Sequence, residues 1–487
     1  MASQRSQHIP CIPDQQSPKP NHLSSIDGGA PPMSSLGASY SPSPATLASD
    51  GVLINSQDIP PVAAIPLSDA AFVSESSTPW KGRVSSYDAD HKSAIKSPIT
   101  CREIGALLLK EFHSDLVLEH ATLGFKLFPS NSFPYATGVP TLKDRNFLTR
   151  MKKVWSTSQS NWKHAPTMTE SSIAQWLNDI GEEFSRVTKI PILRKWSPDS
   201  CNTPPQGAIP GTPLNSKPDI VLMDVIPHGL PRSHKPSWDN VHAFGEVTTR
   251  NSFHSVMKQT IYTKTHVLFA AQETRRFVCS LAFYGNELRL NVIDHEGIMF
   301  QKFSLAGGFD NALKIIRVIA GFMCGHLTSL GHDSTVTRKP DGTVDTIDVE
   351  DEARNITTYR VLRRLHVATG IVGRCTRVWL GHELGDEKTQ VVIKDAWPLE
   401  SRSKLEEDVL MHLQTVPGIP ILARSITVYA GRVKDSTSLY RLAASTICSN
   451  RNRVHRRLVM LSVGIRLHHF RSLSELIGAF RDVVISE

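Results

Sequence analysis

The chain divides by where its apolar residues recur. From residue 1 to about 95 they do not recur at any period, and stretches such as SSLGASYSPSPATLASDG are built from Ser, Pro, Ala and Asp. A segment of this kind cannot bury enough apolar surface to offset the entropy of ordering it, so it predicts a disordered tail. Ser41-Pro42 and Ser43-Pro44 within it are candidate phosphorylation positions. A helical period begins near Cys101: in CREIGALLLKEFH, Ile104, Leu107, Leu108 and Phe112 share one face. MTESSIAQWLNDIGEEFSRV predicts a second helix, with Ile173, Trp176, Leu177, Ile180 and Phe184 as its stripe. Strands are then expected at 218–225, 242–249, 275–285 and 287–297, with Gly285-Asn286 as the turn between the last two. HSVMKQTIYTKTHVLFAAQ and NALKIIRVIAGFMCGH read as helices between and after them. One sheet with flanking helices is the expectation for 96–330.

Residues 331–355 are polar with Pro and Gly, and read as a linker or a long hairpin. Period-two segments return from 356 to the end: YRVLRRLHVA, then TGIVGRCTRVWLGHEL, then QVVIKDAWP. LEEDVLMHLQTV supplies a helix after them. Near the end, RSLSELIGAFRDVV is amphipathic. Ser472 and Glu475 form a capping box, and Leu473, Leu476, Ile477, Phe480, Val483 and Val484 form the stripe expected to be buried. The fold class expected is therefore α+β and multidomain.

Composition adds limits. A length of 487 residues suits about three ordinary domains. A net charge of +8 allows contact with nucleic acid or an acidic protein and requires neither. Seven cysteines lie at 11, 101, 201, 279, 324, 375 and 448, with no CxxC spacing. Reduced thiols are expected, not a disulfide framework or a zinc site, which suits a cytoplasmic or nuclear setting. The apolar run from Ile315 to Cys324 is broken by Arg317 and too short to span a bilayer, and the N-terminus lacks an apolar signal core. No membrane association is expected.

The strongest candidate chemistry is at Val391-Val392-Ile393-Lys394, which matches the V-A-I-K strand of protein kinases. The lysine of that strand holds nucleotide phosphates and needs a helix carboxylate to hold it in turn. Glu406 has the spacing of that partner, and Glu407 is the competing choice. Aligned on Val378, only Gly373 occupies a glycine position of the phosphate-covering turn, while Ile371 and Thr376 stand at the other two. Gly373, Val378, Lys394 and Glu406 are thus the candidate nucleotide set. Taken with PGIPIL, DSTSLYR and NRVHRRLVMLSVGIRLHHFRSLSELIGAFRDVV, and with KPDIVLMD, FGEVTTR and RRFVCSLAFYGNELRLNVIDHEG upstream, this series resembles the fungal-type protein kinase family across roughly residues 100–487. The resemblance implies a kinase N-lobe with the first C-lobe helix over 356–487, ATP with Mg²⁺ as cofactor, and phosphorylation of an unidentified protein partner.

The same comparison implies a catalytic loop and a DFG motif after the last helix, and the sequence closes at Glu487 before either. The expectation is a truncated, catalytically incomplete kinase-like chain, a pseudokinase, whose last helix lacks most of its packing partners. His455-Arg456-Arg457-Leu458 imitates H-R-D-L, but an arginine cannot accept a hydroxyl proton. It reads instead as a strand with Arg456 and Arg457 solvated.

A rival chemistry lies upstream. Lys217-Pro218-Asp219 and Glu246-Val247-Thr248 on consecutive strands resemble the PD-(D/E)xK nuclease core. The resemblance implies that Asp219 and Glu246 hold a metal ion, with Glu182 or Glu183 completing the set. Thr248 stands where the nuclease lysine belongs, and Lys258 on the next helix is the candidate substitute. The alternative is that Asp219 caps a turn and Glu246 is a structural acid at a sheet edge. The region is thus open as a metal-dependent nuclease, a nucleic-acid-binding module or a degenerate scaffold.

Overall fold

The computed structural model describes residues 101–112, 117–133, 145–199, 216–225, 237–339, 342–351, 353–368, 370–416, 419–430, 433–441, 451–461, 464, 472–474, 476–478 and 481. The tail expected over 1–95, with Ser41 and Ser43, lies outside them. The described chain is a mixed α+β structure with two seven-stranded sheets.

The first half runs α1 (Cys101–Glu111), β1 (Val117–Glu119), α2 (Leu123–Leu127), α3 (Arg145–Arg150), the small pair β2 (Trp155–Ser156) and β3 (Asn161–Trp162), and α4 (Glu170–Thr188). β4 (Arg194–Ser197), β5 (Ile220–Asp224) and β6 (Ala243–Thr248) follow, then α5 (Ser255–Ala271), β7 (Phe277–Tyr284), β8 (Glu287–Asp294), β9 (Ile298–Ser304) and α6 (Phe309–Cys324). The sheet order is β1-β9-β8-β7-β6-β5-β4. β4, β5 and β6 are antiparallel neighbours, whereas β6 and β7 are parallel. A parallel pair needs a crossover, and α5 supplies it. Gly285, at φ +53°, makes the two-residue turn that sets Tyr284 opposite Glu287.

Side chains alternate across a strand, so this sheet has two cores. Phe277, Cys279, Leu281 and Phe283 pack with α4 and α6 on one face. Val278, Ala282 and Tyr284 pack with α1 and α5 on the other. The layers are helix, sheet, helix. The α4 stripe expected from its period is buried at every position, and Thr169 caps the helix by accepting the Ser172 N–H. Cys279, Cys324 and Cys375 are free and buried.

The second half forms the other sheet. β10 (Val336–Arg338) and β11 (Val344–Glu350) make a hairpin, joined by β12 (Ile356–Val367), β13 (Arg377–Glu383) and β14 (Gln390–Ala396). After β14 come α7 (Glu406–His412), β15 (Leu422–Thr427), the pair β16 (Tyr429–Ala430) and β17 (Val433–Lys434), and β18 (Arg456–Met460). The order is β10-β11-β12-β13-β14-β18-β15. Of the two forms open for the polar segment 331–355, it takes the hairpin, hydrogen-bonded to β12 as part of this sheet.

Part of the expected final helix is described, and it agrees with the expected lack of packing partners, while Glu475, Phe480, Val483 and Val484 lie outside the described residues. The Leu476 N–H bonds the Ser472 carbonyl, as in a helical turn, but Leu473 and Ile477 are 70% and 66% exposed. An apolar stripe is buried only where another element presents a surface to it, and these two members of the stripe are not covered. No described helix is long and apolar enough to cross a membrane.

One close contact in the first core is testable. A Cβ at Gly321 of α6 would lie 2.1 Å from the Phe128 ring. Overpacking of this sort costs about 1–3 kcal/mol. Gly321→Ala is expected to lower the midpoint of thermal unfolding measured by calorimetry, and an unchanged midpoint would contradict this packing.

Candidate functional site

β14 presents Val391, Ile393 and Asp395 to one face of its sheet and Val392, Lys394 and Ala396 to the other. Lys394 stands directly opposite Val378 of β13. α7 brings Glu406 over this second face, where its carboxylate pairs with the Lys394 ammonium. The competing Glu407 pairs instead with Arg456 of β18. The ion pair keeps contact with solvent, with Lys394 20% and Glu406 37% exposed. Arg374, Ala396, Leu405, Glu406 and Arg456 line a cavity of about 20 Å³ beside it, space for about one water.

The turn between β12 and β13 is docked against the first sheet. Ile371 is 1% exposed and belongs to the core shared with α1 and α5. Its N–H and that of Val372 both donate to Glu111 Oε1, at 3.1 and 2.7 Å. The Gly373 N–H donates to the His295 carbonyl at 3.0 Å, and His295 Nδ1 lies 2.9 Å from the Ile371 carbonyl oxygen. Gly373 has φ +125°, and a Cβ there would meet no described residue within 4 Å, so its glycine serves backbone conformation, not close packing. Burial pushes the Glu111 carboxyl above its ordinary value, and the two N–H donors pull it back down. The lysine–glutamate pair is of the kind that holds nucleotide phosphates and is partly open to solvent, while the cavity beside it has room for about one water. The turn does not fit as a phosphate cradle in this arrangement, because the N–H groups of Ile371, Val372 and Gly373 already have protein acceptors.

The upstream candidates also meet. Ile220 of β5 pairs with Gly245 of β6, and this register sets Asp219 beside Glu246. Asp219 Oδ2 accepts the Val247 N–H at 2.7 Å. Like charges side by side on neighbouring strands destabilise a sheet. Lys264 of α5 offsets them through a buried ion pair with Glu246. Burial raises the Glu246 carboxyl to about 7 against the pull of Lys264. Burial likewise raises Asp219, which Lys264 opposes and Glu170, at the start of α4, reinforces.

Several expectations here are corrected. The lysine that reaches Glu246 is Lys264, not Lys258. Glu182 pairs with Lys195 at 2.7 Å, and Glu183 with Arg186 at 2.6 Å and with the Lys153 N–H, so neither joins Asp219. Glu246 sits in β6, between β5 and β7, and not at a sheet edge. Lys264 was hidden in the sequence because it lies in TKTHVLFAA, on a helix buried from Ile261 to Phe269. A charged residue inside such a run was the available signal.

The H-R-R-L segment is corrected too. It does form a strand, β18, but Arg457 has no exposure. Its guanidinium grips Asp395 through two 2.7 Å bonds and reaches Asp333, the Thr335 hydroxyl and the Asp348 carbonyl. Arg456 is partly buried against Glu407, Ser425 and Thr427. His455 lies between Asp395 and Asp435, 3.1 Å from each, and stacks on Trp397. Asp435 also holds Arg276 at 2.9 Å. Asp333, Asp395 and His455 are close enough to share a metal ion, but the Arg457 guanidinium already supplies the positive charge.

Burial works to lower the His455 imidazole, yet Asp395 and Asp435 outweigh it and raise it to about 9 from 6.5. A folded value above the unfolded one stabilises fully below the unfolded pKa and is lost as pH rises through the folded one. Unfolding free energy should therefore fall by on the order of 1–3 kcal/mol between about pH 6.5 and 9. Denaturant titrations across that window measure it. His455→Asn should flatten the profile, and an equally steep fall in that variant would count against this assignment.

These features define a mixed α+β protein in which a strand lysine is paired with a helix glutamate, as protein kinases pair them to hold nucleotide phosphates. The model of the fungal protein kinase family matches residues 217–486, more than half of the sequence, and the chain belongs to that family. The matched segment takes in Asp219, Glu246 and Lys264 as well as Lys394 and Glu406. No curated protein and no solved structure matches the chain.

Proposed function

We propose that this is a protein-kinase-like protein, of a family whose activity is ATP-dependent phosphorylation of proteins, in which Lys394 and Glu406 form the nucleotide side of the site, with ATP and Mg²⁺ as ligands, and which does not itself transfer phosphate. The observation that carries the reading is the Lys394–Glu406 ion pair on β14 and α7, with Val378 facing Lys394 from β13. In kinases such a lysine holds the α- and β-phosphates. Two observations support weak nucleotide binding and no transfer by this arrangement. The β12–β13 turn spends its N–H groups on Glu111 and His295. The H-R-R-L segment is a structural strand whose Arg457 is locked to Asp395, so it supplies no base. Buried free thiols at Cys279, Cys324 and Cys375 suit a cytoplasmic or nuclear protein.

Calorimetric titration of the full chain with MgATP tests the site. Weak binding lost in Lys394→Ala is expected, with no label transferred from radioactive ATP to a generic protein substrate. Binding indifferent to Lys394→Ala would defeat the nucleotide assignment. Robust labelling abolished by that substitution would defeat the inactive part alone.

A second reading has its own observation: Asp219 and Glu246, both raised by burial, stand side by side with Lys264 against them. Perturbed carboxylates beside a lysine are the means by which metal-dependent nucleases bind a divalent ion and activate water. Incubation with plasmid DNA and Mg²⁺ or Mn²⁺ tests it. The reading expects cleavage that disappears in Asp219→Ala and Glu246→Ala, and an intact plasmid under both ions would dismiss it.

A further inference from the structure

We propose that Glu111 is an internal anion plug: its carboxylate occupies the β12–β13 turn in competition with the phosphates of a polyphosphate ligand such as ATP. The inference deepens the nucleotide reading of Lys394 and rests on it for the identity of the ligand.

Two successive backbone N–H groups converging on one point make a concavity suited to an anion. Here the groups are those of Ile371 and Val372, and the anion is Glu111 Oε1. The carboxylate comes from the last residue of α1, about 260 positions away in sequence. The turn is thus stabilised by a side chain and not by its own strand. Among the described residues the other carboxylate oxygen, Oε2, is buried with no hydrogen-bond partner, and the hydrogen bonds that hold the Glu111 carboxylate are those from the turn. The open side of the turn is at Gly373, where no described residue lies within 4 Å of the position of a Cβ, whereas Ile371 itself is buried, so a phosphate would enter from the Gly373 side. The turn also reaches the nucleotide side: Arg374, the next residue, lines the small cavity with Glu406. Rotation of one side chain would free two donors without moving α1, whose packing on α5 sets Gly105 against Gln259 and Thr263.

A site open only about one-tenth of the time binds about tenfold more weakly than the open site. Removing the plug is therefore read as a gain. The experiment titrates the full chain by calorimetry with inorganic tripolyphosphate and, separately, with MgATP. It uses the natural sequence, Glu111→Ala, Glu111→Gln, Lys394→Ala and the Glu111→Ala/Lys394→Ala double variant. Glu111→Ala is expected to bind tripolyphosphate about tenfold more tightly. Glu111→Gln, which keeps a neutral acceptor, should fall between it and the natural chain. Equal or weaker binding by both variants overturns the plug. If Glu111→Ala does not fold, Glu111→Gln decides by the same criterion. A gain that survives in the double variant upholds the plug and separates it from Lys394. A natural chain that binds MgATP through Lys394 while Glu111→Ala and Glu111→Gln add nothing overturns the plug and leaves the nucleotide reading standing.

Discussion

A guanidinium with no access to water organises the second sheet. Arg457 bonds both oxygens of Asp395 on the neighbouring strand, Asp333 before the hairpin, and the backbone of β11. A buried charge is tolerated only when its hydrogen bonds are met, and removing one partner strands the other in a medium that cannot solvate it. The pairing therefore fixes β18 against β14 and draws the β10–β11 hairpin over the same face. Asp395 also holds His455, His455 holds Asp435, and Asp435 holds Arg276 at the start of β7. One chain of charges runs from β18 and β14 of the second sheet to the start of β7, the central strand of the first.

The two faces of β14 divide structure from chemistry. Asp395 points into the charged clamp, and its neighbour Lys394 points to Glu406 and partial solvent. The clamp sets the strand, and the strand sets the lysine. This also explains why a segment so like H-R-D-L does a different job. In β18 the arginine at the aspartate position is the centre of the ion-pair network, and an aspartate there would face Asp395 and Asp333 without the guanidinium that bonds both.

The two candidate sites follow a common rule and differ in access. In each, a lysine from one element neutralises a carboxylate from another. Glu246 and Lys264 are both buried, so a divalent ion at Asp219 and Glu246 would have to displace an ammonium already in place. Lys394 and Glu406 retain contact with solvent, so a ligand can approach them directly. That difference in desolvation is why the nucleotide reading stands ahead of the nuclease one. The docked turn offers this candidate site no free N–H at Ile371, Val372 or Gly373, since these donors bond Glu111 and His295.

Local period was enough to read α4, α5, α6 and the strands β5 to β8 from the sequence, because each is set by residues within a few positions of one another. The V-V-I-K strand and the helix with Glu406 were legible for the same reason: strand alternation and helix spacing fix where Lys394 and Glu406 point. What the sequence left open were pairings between distant residues. Lys258 is the candidate on α5 until the helix is laid on the sheet and brings Lys264 to Glu246 instead. Glu406 and Glu407 are separated only once Arg456 arrives from β18 to claim the second. Arg457 looks like a solvated arginine until Asp395, Asp333 and the hairpin close around it. Glu111 carries no local signal at all, since its role is defined by a turn about 260 residues away. Sequence determined the elements, because backbone period is a local property. Tertiary structure decided the partners of every buried charge, because a charge removed from water takes whichever counter-charge the fold brings to it.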